Sequence, residues 1–112
     1  MTSRDSVAVV VGALIGAALR WGAGEVLGAR PGLLVVNVIG CAVMGWAITC
    51  AAARPWLTAG WCGALTSYSA LAVDTARTLD AGEWVTAVGW LLATTGLAAL
   101  AFGVGRQMAQ LP

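Results

Sequence analysis

The sequence predicts an all-α membrane protein with four transmembrane helices, the third of them broken at mid-membrane, assembled as an antiparallel dimer. Three observations carry this reading. Of the 112 residues, 60% are hydrophobic and 10% are charged, whereas about a quarter of the residues of a soluble domain carry charge. The charged residues stand mostly at the edges of four apolar runs. Inside the third run, Thr66, Ser67, Tyr68 and Ser69 place four hydroxyls in succession. At membrane depth such groups cost free energy unless they are bonded or face a water-filled path.

A membrane span needs about 20 mostly apolar residues. The uncharged run from Val7 to Leu19 is too short, so the first helix continues past Arg20 and covers about 6–28. Arg20 then lies near one interface, where a long side chain reaches water. This run leads into Arg20 with no clear small-x-small cleavage site and three more apolar runs follow, so it reads as a retained first helix rather than a signal peptide. The second span is 31–53, with Asn37 its most polar residue. The third is 55–78 and holds the hydroxyl row, and the fourth is 83–106. Pro31 and Pro55 suit helix starts, where a missing N–H costs nothing. Short connections make neighbouring helices antiparallel within one domain, 1–112.

All six basic residues are Arg. With four spans, Arg4, Arg54 and Arg106 fall on one side, and Arg30 and Arg77 on the other with Arg20 near them. Arg and Lys placement normally sets orientation, and three against three sets none. A balanced chain of this size points to a dimer of oppositely inserted subunits. Small residues recur at packing intervals: Gly12 with Gly16, Gly40 with Met44, Cys41 with Gly45, and Gly89, Gly96 and Gly103 seven apart. In lipid, helices associate by close approach over such residues. Trp21, Trp56 and Trp84 mark span ends, as interfacial aromatics do.

Catalysis is excluded on residue types. There is no His, and no carboxylate pair lies mid-membrane. Cys41, Cys50 and Cys62 have neither paired spacing nor a basic partner and read as small buried hydrophobes. A net charge of +1 gives no reason to expect nucleic-acid binding. The residues that can act on an ion lie elsewhere. Gly60 and Gly63 precede the hydroxyl row, and Gly is a poor helix interior residue. Together they predict an unwound turn, tolerated only where it is buried in protein or lines a cavity. Such a break frees carbonyls that attract cations and N–H groups that attract anions. Asn37 is either a helix–helix hydrogen bond or a pore donor. Tyr68 is either packing or a ring edge turned to an anion. Asp74 is either a vestibule charge or a solvated helix end.

These residues carry a resemblance over nearly the whole chain to the small fluoride channels called Fluc or CrcB. Gly12-Ala-Leu-Ile-Gly-Ala-Ala-Leu-Arg20-Trp21 resembles the family's first-helix motif. Asn37-Val-Ile-Gly40 resembles its Asn-x-x-Gly motif. Gly63-Ala-Leu-Thr66-Ser67-Tyr68-Ser69-Ala-Leu71 resembles its Gly-Gly-x-Thr-Thr-Phe-Ser-Thr-Phe signature, and Asp74 falls where the family usually has Glu. The resemblance implies a multi-pass protein of the cell membrane that exports fluoride passively, through two narrow pores along an antiparallel dimer interface. It implies a structural, untransported Na+ at the dimer centre, held by the backbone carbonyls of Gly63 and Thr66. It places Asn37, Tyr68, Ser69 and Leu71 along the pore, and Arg20 and Asp74 at a vestibule. Thr94 and Thr95 could extend the hydroxyl track.

The departures bear on assembly. Tyr68 and Leu71 stand where the family has Phe, Ala64 where it has Gly, and Ala70 where it has Thr. An aliphatic side chain offers no polarised edge, so a homodimer lacks one aromatic contact per pore, and a heterodimer with a paralogous subunit becomes an equal expectation. Two alternatives stand beside the channel. A small multidrug exporter needs a carboxylate inside the first helix, where Glu25 lies only at its end. A non-conducting partner subunit of a fluoride channel is the other.

Overall fold

The computed structural model describes residues 2–50 and 54–112. Helix α1 (Ser3–Leu27) opens on a reciprocal cap. The Thr2 hydroxyl accepts from the Asp5 N–H at 3.2 Å, and the Asp5 carboxylate accepts from the Thr2 N–H at 3.1 Å. Two donors left over at a helix start are thereby satisfied. The helix stops at Gly28, whose φ of +94° favours glycine. Helix α2 (Ala29–Thr49) begins at once, so Pro31 falls inside its first turn rather than at its start. The expected second span runs to 53, and its last three residues lie outside the described ones.

The third membrane segment is the irregular one. Trp56–Cys62 winds wide as a π-helix, and α3 (Gly63–Leu65) is a single α turn. Thr66 and Ser67 are extended, with ψ of 149° and 101°. Helix α4 (Tyr68–Asp80) then resumes. The predicted break is therefore present and falls within the hydroxyl row. The π winding before it has no counterpart in the sequence expectations. A turn at Gly82, with φ of +81°, leads into α5 (Trp84–Ala109). Three helices, α1, α2 and α5, are each long and apolar enough to cross a membrane. The broken segment crosses only as the sum of its parts.

Backbones touch where side chains are missing. A methyl on Gly12 would overlap the Trp56 carbonyl oxygen, and one on Gly16 the Trp61 carbonyl oxygen, so this pair seats α1 against the π-helical segment. Gly45 lies against the Phe102 backbone and Gly105 against Ala42, which brings α2 and α5 together. Gly32 lies against the Ala23 backbone of α1. This is lipid-style association by close approach. Gly89, Gly96 and Gly103, a regular stripe in the sequence, meet nothing within 4 Å among the described residues. They leave that face of α5 open.

The interior is thin, and the large hydrophobic side chains point outward. Buried apolar residues are Val36, Ala47, Cys62, Leu65, Leu71 and Ala87, while Val7, Leu14, Trp21, Val85, Leu92 and Leu100 are exposed. Hydrocarbon solvates such a surface, so burial does not separate apolar from polar residues as it does in water.

Candidate functional site

The site is built on the break. In a continuous helix the Ser67 N–H would bond the Gly63 carbonyl and the Ala70 N–H the Thr66 carbonyl. Neither bond forms. The Ser67 N–H donates to Asn37 Oδ1 at 2.7 Å, and the Ala70 N–H donates to Ser67 Oγ at 3.1 Å. Asn37 Nδ2 makes a longer bond of 3.5 Å to the Ser67 carbonyl. The amide of α2 thus clasps the peptide of Ser67, and Ser67 caps α4. Both residues are buried. The carbonyls of Gly63 and Thr66 are left without an amide partner, while Thr66 keeps its own N–H and hydroxyl on the Cys62 carbonyl at 3.0 and 2.9 Å.

Two cavities flank this point. Extended backbone sends successive side chains to opposite sides. Ser67 and Ser69, whose hydroxyls lie 3.3 Å apart, face an open cleft of about 590 Å³. Thr66 and Tyr68 face a smaller cavity of about 180 Å³, bordered also by Asn37, Cys41, Leu71 and Thr94. The clasped Asn37–Ser67 pair stands between them. Tyr68 is 65% exposed on the subunit surface, while Leu71 is enclosed at 1%. Thr94 is equally enclosed, and its Oγ1 has no hydrogen-bond partner among the described residues. An unpartnered buried hydroxyl is uncommon, and here it borders the small cavity.

The cleft is basic. Arg20 comes from α1, Arg30 from the first turn of α2, and Arg77 and Asp74 from α4. Arg30 Nε donates to both Asp74 carboxylate oxygens, at 3.0 and 3.2 Å. Arg30 Nη2 donates to the Thr78 hydroxyl, which in turn donates to the Asp74 carbonyl at 2.8 Å. This is the one ion pair among the described residues.

The structure therefore brings together Asn37, Ser69, Tyr68 and Leu71 around the break, and Arg20 with Asp74 at the cleft. Gly63 and Thr66 lie on the N-terminal side of the break, their carbonyls without amide partners among the described residues. Sequence reasoning counted Ser67 in the hydroxyl row without giving it a role of its own, and it passed over Arg30 as a site residue. Arg30 had a usable signal, since it falls on the same side of the membrane as Asp74 and Arg77.

The family model described as CrcB-like protein, Camphor Resistance (CrcB), matches residues 7–106. A protein of Synechococcus sp. (strain CC9605) named fluoride-specific ion channel FluC 2 is 37% identical, over 89% of this chain and 80% of its own length. Fluoride-specific ion channel FluC of Pseudomonas putida (strain W619) is 33% identical, over 92% of this chain and 98% of its own. The protein of that name from Gloeobacter violaceus is 34% identical, over 86% and 90%.

Proposed function

This chain belongs to the CrcB family, and from that premise we propose that it is the pore-forming subunit of a fluoride channel that lets fluoride leave the cell passively. One observation supports the reading above the others: a basic cleft and a small, mostly apolar cavity edged by hydroxyls lie on either side of a helix break inside an otherwise apolar protein.

The chemistry follows from fluoride being small and strongly hydrated. A path through the membrane must replace its water with donors that are weak enough to release it. Ser67 and Ser69 offer hydroxyls on the cleft side, and Thr94 an uncommitted hydroxyl on the cavity side. Asn37 Nδ2, held only by a long bond, keeps donor capacity between them. Tyr68 can present a ring edge. The Arg side chains stand at the mouth and none borders the small cavity, so a fixed cation does not trap the ion midway.

Tyr68 and the small cavity lie at the subunit surface, so the path is completed by a second subunit in an antiparallel dimer. Leu71, which has no ring, favours a paralogous partner over an identical one. Na+ fits the break by donor type. The carbonyls of Gly63 and Thr66 lack amide partners, and unwound carbonyls are the groups that hold this cation in membranes. The ion would supply fixed positive charge at the dimer centre.

The test is purified chain in liposomes, alone and with a paralogous chain, read by a fluoride electrode with chloride as the control anion. Fluoride efflux without chloride efflux is expected, falling when Na+ is replaced by a large organic cation. Equal passage of both anions would refute the selectivity, and no passage in either preparation would refute the channel.

A further inference from the structure

We propose that Arg30 sets the charge of the cleft mouth: it cancels the Asp74 carboxylate, leaving Arg20 and Arg77 to draw anions in. The inference rests on the fluoride-channel reading and adds a residue to it. Its basis is how the guanidinium is used. Nε is committed to both Asp74 oxygens and Nη2 to the Thr78 hydroxyl. Thr78 is buried and anchored to the Asp74 carbonyl, so the arrangement is held from below.

The pair is only partly buried, with side chains 35% and 31% exposed. As a stability device such a pair is worth little. As a charge device it matters, because Asp74 lines the cleft through which an anion would reach Ser67 and Ser69. Arg20 and Arg77 pair with no carboxylate among the described residues. Their charge is therefore available to the path, while an uncancelled Asp74 would oppose it.

The charge argument and a purely structural tie predict different mutant patterns. One unit charge beside a wet path changes local anion concentration by about two- to fivefold. R30Q is expected to lower fluoride efflux by about that factor at low ionic strength. D74N should raise the rate by a similar factor, and R30Q/D74N should return it close to the unsubstituted level. R30K keeps the charge and should stay near that level too. The differences should shrink in about 1 M impermeant salt, where the screening length is roughly 3 Å.

The experiment is efflux from liposomes holding the full chain, in whichever pairing conducts, with each variant's assembly checked by size exclusion. If R30Q and D74N both slow efflux and the double variant is no faster, the pair is a structural tie and the proposal is overturned. If R30Q does not assemble, D74N above the unsubstituted rate with R30K unchanged supports it, and D74N at or below that rate overturns it. Absence of efflux from the unsubstituted chain in every pairing defeats the channel reading, and this inference with it.

Discussion

Replacing Asn37 by Leu keeps the forked side-chain shape and removes the clasp on Ser67 together with the Nδ2 donor. Asn37 is 6% exposed and Ser67 is 8% exposed, so the freed Ser67 N–H is largely shielded from water. The 2.7 Å bond to Oδ1 is the strong one, and the 3.5 Å bond from Nδ2 adds little. An unpaired buried donor costs about 1–3 kcal/mol. The chain has one way to recover part of this, by giving the Ser67 N–H back to the Gly63 carbonyl and closing the break. Asn37→Leu is therefore expected to lose about 1–3 kcal/mol of stability and to abolish fluoride transport. Asn37→Ala should lose more, because it also leaves a cavity. The assay is unfolding in mixed micelles of increasing denaturing-detergent fraction, followed by fluorescence of the six Trp, with efflux measured on the same preparations. An Asn37→Leu protein that unfolds with the unsubstituted chain would show that the amide does not hold the break.

Other substitutions probe the packing and the path. Gly105→Ala forces a methyl onto the Ala42 backbone, which cannot rotate away, and should cost about 1–3 kcal/mol or more in the same unfolding assay. Gly96→Ala meets open space and should leave subunit stability unchanged; a fall in dimer fraction alone would put the second subunit on that face of α5. Tyr68→Phe keeps the ring and should retain efflux. Tyr68→Ala should slow it about fivefold, the loss of an aromatic contact worth about 1 kcal/mol, and equal rates in the two variants would remove the ring from the path. Leu71→Phe adds a ring at the wall of the small cavity and should raise efflux from the chain reconstituted alone; an unchanged rate would mean that the missing ring is not what limits it.

The helical architecture was legible from composition, because hydrocarbon leaves the backbone almost no alternative. Every N–H and C=O in the span must find a partner within the protein, and an uninterrupted helix is the local way to do it. The exception was legible for the same reason. Four adjacent hydroxyls behind Gly60 and Gly63 mark the place where side chains can stand in for backbone partners. The packing role of Gly12 and Gly16 was visible in their spacing, but the stripe of Gly89, Gly96 and Gly103 was not a guide to packing inside the subunit.

What only the tertiary structure decided are the pairings between helices. Asn37 meets Ser67 thirty residues away, and Arg30 meets Asp74 forty-four away. Helical periodicity places residues on faces but does not set how far one helix slides along another, and that slide chooses which polar groups meet. It settled that Asn37 clasps the break and that Asp74 enters the cleft paired with Arg30. It also placed Leu71 in the interior and Tyr68 at the surface, since a two-residue extended break rotates everything after it relative to everything before. The hydroxyl row and its glycines determined by themselves that the third helix would break; the neighbouring helices determined what the break could hold.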